Sequence, residues 1–175
     1  MSRKSPILLL QGSSRSQGDT RLVIDHLRRH LAFDFVDLLD LRIGHFDYEF
    51  RHREDDFLPL MRRFTADYET LLVATPVYWY AMSGILKDFF DRISDLLKIE
   101  KDTGRLLRGK NLAMLSCSGA DDRIASFGDP FLAAADYLGM KYLGDVHVWV
   151  EEGAIPPLAQ QRLANFADQL FSPST

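Results

Sequence analysis

Residues 12 to 20 read GSSRSQGDT, an assortment suited to holding an anion. Gly12 and Gly18 let the backbone turn tightly enough for amide hydrogens to converge. Ser13, Ser14, Ser16 and Thr20 add hydroxyl donors, and Arg15 adds a permanent charge whose fork matches phosphate oxygens. The stretch follows the apolar run Ile7-Leu8-Leu9-Leu10 and leads into helical periodicity, so a helix starting near Asp19 or Thr20 would aim its positive end at the loop. Asp19 reads as the helix N-cap, since a carboxylate beside a phosphate would repel it. The glycine-lysine signature of triphosphate sites is absent, as is the three-glycine dinucleotide fingerprint, so the guest expected is a monophosphate. A Ser/Gly turn that merely caps a helix would use the same residues.

A second stretch, TPVYWYAMSGILKDFFDR at 75 to 92, raises a different question. Pro76 should stop a strand, and Tyr78, Trp79, Tyr80 and Met82 arrive before a helix that starts near Ser83 or Gly84. Three aromatics in a surface turn expose apolar area unless something flat covers them, by ring stacking and by hydrogen bonds from the main chain of residues 77 to 79. A subunit interface would explain them as well. A third stretch, SCSGADD at 116 to 122, offers Ser116, Ser118 and Gly119 as donors and close-approach points. Cys117 between them reads as a small buried residue without a resolving partner.

These stretches matter because of the elements around them. Strand-length apolar runs at 7–11, 33–37, 70–75, 111–116 and 142–150 alternate with helical patterns at 20–31, 57–68, 85–97, 130–138 and 158–171. ILLL, LLVA and LAML are apolar on both faces, as buried parallel strands require. The last strand alternates, with Val146, Val148 and Val150 opposite His147 and Trp149, and reads as an edge with one face less covered. In helix 85–97, Leu86, Phe89, Phe90, Ile93, Leu96 and Leu97 keep the three-four spacing of a buried stripe. Alternation of this kind implies a parallel sheet with helices on both faces and ligands beyond the strands' carboxyl ends. All three stretches then fall on that one edge.

The chain's 175 residues fit one domain, spanning 1–175, with only the final SPST expected to be disordered. Its 21 basic and 25 acidic residues give a net charge of -4, against a nucleic-acid partner. No apolar run reaches membrane-spanning length, and the N-terminus is too short for a signal peptide. With a single cysteine, a cytoplasmic setting is expected. His26, His30, His45, His52 and His147 form no ligand spacing, so no metal is expected. The charged segment 38–56 reads as a solvated loop, or alternatively as a lid or dimer arm.

The first two stretches together resemble the flavodoxin-like NAD(P)H-dependent FMN reductase family, which includes quinone, azo-dye and chromate reductases. The resemblance runs from residue 7 to about residue 150; proline, aromatic triplet, Ser-Gly and Lys-x-Phe-x-Asp-Arg order are its specific part. It implies a three-layer α/β flavodoxin-like fold with strand order 2-1-3-4-5 and FMN over strands one, three and four. Ser13, Arg15, Asp19 and Thr20 would belong to the phosphate loop. Pro76, Val77, Tyr78 and Trp79 would border the isoalloxazine ring, with Met82 and Ser83 nearby, and Ser118 and Gly119 would complete the site. Electrons would pass from NADPH or NADH through FMN to a small electron-poor acceptor such as a quinone, free flavin or azo compound. The flavin carries the chemistry, so no side chain is expected to be catalytic. Arg105 and Arg108 are candidates for meeting a 2′-phosphate, and the family implies a homodimer or homotetramer. Related iron–sulfur flavoproteins carry a cysteine cluster after the second strand that this chain lacks. An FMN-binding electron carrier or redox sensor with little nicotinamide activity is the alternative. A small-molecule phosphatase or nucleotide-binding module finds no acidic pair or phosphate-loop cysteine to support it.

Overall fold

The run Ile7–Gln11 (β1) is buried at every position, which only a strand with partners on both edges and cover on both faces can be. β1 pairs in parallel with Asp34–Asp37 (β2) on one side and Thr70–Pro76 (β3) on the other. β3 pairs with Asn111–Ser118 (β4), and β4 with Lys141–Trp149 (β5). The computed structural model describes residues 7–171, so the expected disorder at SPST lies outside the described residues. Its sheet is all parallel, in the order β2-β1-β3-β4-β5 expected.

Each strand's alternate residues feed two separate cores. Ile7, Leu9, Leu72, Ala113 and Val148 pack under Asp19–Leu27 (α1) and Pro157–Phe171 (α6). Leu8, Leu10, Val73 and Met114 pack under Phe57–Asp67 (α2), Gly84–Lys98 (α3) and Asp129–Leu138 (α5). A short helix, Lys101–Arg105 (α4), links α3 to β4 and was not anticipated: five residues are too few to set up a periodic stripe. Two strand ends extend past the expected limits, β3 to Pro76 and β4 to Ser118. No helix among the described residues is long and apolar enough to cross a membrane.

β5 is an edge strand, but the sequence pattern misjudges its cover. Val146, His147, Val148 and Trp149 are all buried. Opposite β4 the strand carries one extra residue, with Leu112 facing Tyr142 and Met114 facing Asp145. Gly144, at φ +103°, absorbs the bulge. Trp149 joins Val146 and Val148 in the core beneath α6, where Arg162 lies 5.0 Å over its ring.

Segment 38–56 is not the free solvated loop that its charge suggests. Arg92, 1% exposed, sits on α3 between Asp55 and Asp95 and also donates to the carbonyls of Gly44 and His52. His45 adds a pair with Asp88 one turn earlier on α3. Burial works to raise the Asp55 carboxyl, but bonds from Arg92 and from the amides of Gly44 and Phe57 outweigh it and hold it below the ordinary carboxylate range. Loss of a buried partner leaves unpaired charge. Arg92→Leu should therefore cost about 3–5 kcal/mol in urea denaturation and expose 42–56 to limited proteolysis. Because Asp55 is depressed, its contribution is present above pH 3.8 and lost as pH falls through the folded value. Asp55→Asn should flatten that part of the acid-unfolding profile.

Candidate functional site

The first loop is shaped from beneath by Gln11, which is fully buried. Its side-chain amide donates to Asp37 Oδ2 at 3.0 Å, to the Ser16 carbonyl at 3.2 Å and to the Arg15 carbonyl at 3.4 Å. In a trans peptide a carbonyl and the following amide point in opposite directions. Drawing the carbonyls of Arg15 and Ser16 inward therefore turns the amides of Ser16 and Gln17 outward. Among the described residues, no group accepts a hydrogen bond from the amides of residues 16 to 20. Gly18 is the N-cap of α1 with no side-chain cap, and Asp19 is the first helical residue, which corrects the expected capping role for Asp19. Arg15 is exposed and pairs with no carboxylate among the described residues. Ser13 and Thr20 are buried yet line the cleft above the loop. Such unpartnered amides at a helix start, beside a free guanidinium, fit a phosphoryl group.

The second loop closes as a two-residue hairpin. Tyr78 and Ala81 exchange both backbone hydrogen bonds at 3.0 Å, and the residues between them, Trp79 and Tyr80, have φ of +49° and +64°. Positive φ at both central positions belongs to the mirror-image hairpin turns, which favour Asn and Gly; two bulky aromatics there store strain. Trp79 is 93% exposed and Tyr80 65%. The expectation of main-chain donors from 77 to 79 is corrected: Val77 N–H is taken by the Cys117 carbonyl and Tyr78 N–H by the Ala81 carbonyl. The amides of Trp79 and Tyr80 have no acceptor among the described residues. Ser83 is 1% exposed and faces inward, donating to the Gly12 carbonyl at 2.6 Å and accepting from Leu86 N as the N-cap of α3. Met82 packs against the core beneath α3.

In the third loop, Ser116 is fully buried and lies inside the sheet, so it does not reach the cleft as expected. Its hydroxyl meets His147 Nδ1 at 3.0 Å. Ser118 and Gly119 do line the cleft, and a side chain at Gly119 would meet nothing within 4 Å. Cys117 is buried, as its sequence context suggests, and also borders the cleft. Burial, with the Asp19 carboxylate adding to it, pushes its thiol up to about 12. It stays a thiol at neutral pH, without the thiolate that reactive cysteines need.

One cleft of about 190 Å³ gathers Ser13, Arg15, Asp19, Thr20, Pro76, Val77, Tyr78, Ser118 and Gly119 from three separate loops. Ser14 Oγ and Tyr78 Oη, 2.6 Å apart, tie the first loop to the second. Trp79, Met82 and Ser83 stand outside the cleft wall. Gly18, read from the sequence as a turn residue of the first loop, belongs to it as well, and so does Cys117, which the sequence offers only as a small buried neighbour of the donors. Arg105 and Arg108 lie elsewhere. They border a groove of about 260 Å³ just before β4 begins, at the opposite edge of the sheet. The eight residues of β4 put about 26 Å between the two edges at strand rise. A 2′-phosphate beside the cleft cannot reach them. Among the described residues no group of three or more His, Cys, Asp or Glu could hold a metal ion.

Sheet order and a cleft at the carboxyl ends of β1, β3 and β4 define a flavodoxin-like protein. The family description that matches residues 5–154 is NADPH-dependent FMN reductase, and the chain belongs to that family, an enzyme class using FMN and NAD(P)H. It is 26% identical over 152 residues to YwqN of Bacillus subtilis (strain 168), by name an NAD(P)H-dependent FMN-containing oxidoreductase; the match covers 80% of this chain and 82% of that one. Among solved structures, the Trp repressor binding protein from Bacillus subtilis superposes with TM-score 0.73 at 22% identity, over 97% of this chain and 99% of that one. An NADPH-quinone reductase from P. pentosaceus follows with TM-score 0.64, 18% identity and 99% and 100% coverage. General stress protein 14 of Treponema denticola, solved with FMN, has TM-score 0.62 at 19% identity, covering 94% and 95%. At these identities the structures speak for the fold.

Strain in the hairpin gives a direct test. A left-handed L-residue costs roughly 1–2 kcal/mol, partly offset by the extra entropy that glycine loses on folding. Tyr80→Gly should raise stability by about 0.5–1 kcal/mol, read as a higher urea midpoint at unchanged m-value.

Proposed function

We propose that the chain carries electrons from NAD(P)H, through FMN in the three-loop cleft, to a flat and uncharged electron-poor acceptor such as a quinone, free flavin or azo compound. Residues 1–175 would form the single flavodoxin-like FMN-binding domain that does this. The observation that carries the reading is the row of unpartnered amides from Ser16 to Thr20 beside the unpaired Arg15. Such donors, pre-aimed by Gln11, suit one phosphoryl group. At about 190 Å³ the cleft is smaller than the roughly 300–1,000 Å³ usual for whole ligands. The phosphate and its chain would fill it, and the ring would lie at its mouth against Tyr78 and Trp79.

FMN, when bound, supplies the two-electron exchange, and the protein supplies position and environment. Arg15, Ser13 and Thr20 hold the phosphate, while the Asp19 carboxylate lies to the Cys117 side of the loop. Pro76, Val77 and Tyr78 form a wall, and Ser118 and Gly119 close the far side. The free amides of Trp79, Tyr80 and Gly119 are the donors left to face the ring edge. Met82 and Ser83 act from behind, fixing the hairpin on α3. No residue from Pro76 to Met82 carries a charge, which favours neutral flat acceptors over anionic ones. The exposed Trp79 and Tyr80 favour a homodimer or homotetramer with the corner at its interface.

Purified protein should take up FMN stoichiometrically, and anaerobic NADPH or NADH should bleach it; failure of both to do so would favour the electron-carrier reading. Arg15→Ala should weaken FMN binding by about 1.5–3 kcal/mol, roughly 10- to 150-fold, in a fluorescence titration. Unchanged affinity would remove Arg15 from the site. Light scattering should give a multiple of the 20.0 kDa chain mass.

A further inference from the structure

Behind the third loop runs a chain of polar side chains that the function just described leaves unused. The Gly144 bulge brings Tyr142, Asp145 and His147 to the same side of β5. Tyr142 Oη donates to Asp145 Oδ2 at 2.9 Å, and Asp145 Oδ1 pairs with Arg123 at 2.5 Å. Arg123 Nη1 donates to Ser116 Oγ at 3.2 Å. Ser116 Oγ lies 3.0 Å from His147 Nδ1, and His147 Nε2 lies 3.0 Å from the Ala120 carbonyl and 3.3 Å from Ser118 Oγ.

Two donor directions in this chain are fixed by the chemistry of the partners. A guanidinium only donates, so Ser116 Oγ accepts from Arg123, and its own proton faces both His147 Nδ1 at 3.0 Å and the Val146 carbonyl at 3.4 Å. A carbonyl only accepts, so His147 Nε2 carries the ring proton and gives it to Ala120. Burial, and the Arg123 charge behind it, hold the imidazole below its ordinary value, against bonds and carboxylates that pull the other way. His147 is thus a neutral, single-tautomer donor aimed at the backbone of the third loop.

That backbone is the far wall of the cleft. Ser118 Oγ donates to the same Ala120 carbonyl at 2.7 Å, so one oxygen receives both bonds and closes the turn around Gly119. Gly119 N–H has no acceptor among the described residues. We propose that His147 is a positioning residue for the cofactor: by gripping the Ala120 carbonyl it holds the Gly119 amide where it favours the more negatively charged, reduced ring. The proposal rests on FMN occupying the cleft as argued above. A fixed donor is worth most to the form that carries more charge, so its loss should fall unequally on the two redox forms.

The measurement is the midpoint potential of bound FMN, by dye equilibration, together with the affinity for oxidised FMN, in wild type and in His147→Gln, His147→Asn and His147→Leu. Gln keeps a donor at the Nε2 position; Asn keeps only the contact nearer Ser116; Leu keeps neither. Asn and Leu should lose affinity for reduced FMN at least tenfold more than for oxidised FMN, a fall of about 30 mV for a two-electron couple. Gln should keep the two losses within twofold of each other. Equal losses for both forms in Asn, or the same shift in Gln as in Asn, would mean that His147 merely fills the core and would overturn the proposal; this comparison holds even if the Leu variant fails to fold. Wild type that binds no FMN would overturn the cleft assignment itself, and the proposal with it.

Discussion

The position of the cleft depends on a single buried hydroxyl, that of Ser83. It donates to the Gly12 carbonyl, accepts from the Leu86 amide, and the Ser83 amide itself donates to Thr75 Oγ1 at 3.0 Å. One residue therefore joins the end of β1, the end of β3 and the start of α3. The joint requires glycine at 12, because a side chain there would sit 2.7 Å from Leu86 Cβ. Backbone and helix meet at a distance that only a missing Cβ permits, and this sets the anion-ready loop next to the aromatic hairpin. With the two loops so placed, Ser14 Oγ and Tyr78 Oη come within 2.6 Å across the gap between them.

Rigidity beneath the loops contrasts with strain at the tip. Gln11, Thr75, Ser83 and Ser116 are all fully or nearly fully buried and hydrogen-bonded into the sheet ends. Trp79 and Tyr80 stand in left-handed conformations, in solvent, with free amides. A fold settled by stability alone would place Asn-Gly there. Aromatics in that turn imply that something outside the described chain recovers the cost, and the cofactor ring and a second subunit are the two occupants that the family and the exposed area favour.

Much of this was legible in the sequence because it depended on local patterns. Buried parallel strands announce themselves as apolar runs, and the stripe of α3 from Leu86 to Leu96 is periodic enough to read directly. Of the site residues named from the sequence and its family resemblance, nine line one cleft, while Trp79, Met82 and Ser83 stand outside it. What could not be read was long-range or backbone in character. The Gly144 bulge, which offsets Tyr142 against Asp145, and the burial of His147 and Trp149 leave no sign in the alternating pattern of β5. The burial of Arg92 depends on Asp55, 37 positions away, which no local pattern around it announces. The inward turn of Ser116 and the capture of Val77 and Tyr78 amides by their neighbours depend on which hydrogen bonds the folded sheet has already claimed.

Charge placement carries the same logic to the two edges of the sheet. The basic groove before β4 collects Lys101, Arg105 and Arg108, yet it lies the full length of a strand away from the cleft. At the cleft's own edge, the exposed charges of the third loop and of the turn after β5 are acidic: Asp121, Asp122, Glu151 and Glu152. Arg162 neutralises Asp121 with two bonds, at 2.7 and 2.8 Å, and Trp149 holds Glu151. Asp122, Glu151 and Glu152 add negative potential on the side where β4 and β5 end, while at β1 Arg15 and the open amides of residues 16 to 20 stand against one carboxylate, Asp19. A dianionic phosphate approaching this edge is steered toward the first loop and away from the third. On the reading proposed above, the same asymmetry would orient FMN, with its tail at β1 and its ring toward β3 and β4, where the Gly119 amide would supply a local donor in a field that otherwise disfavours negative charge.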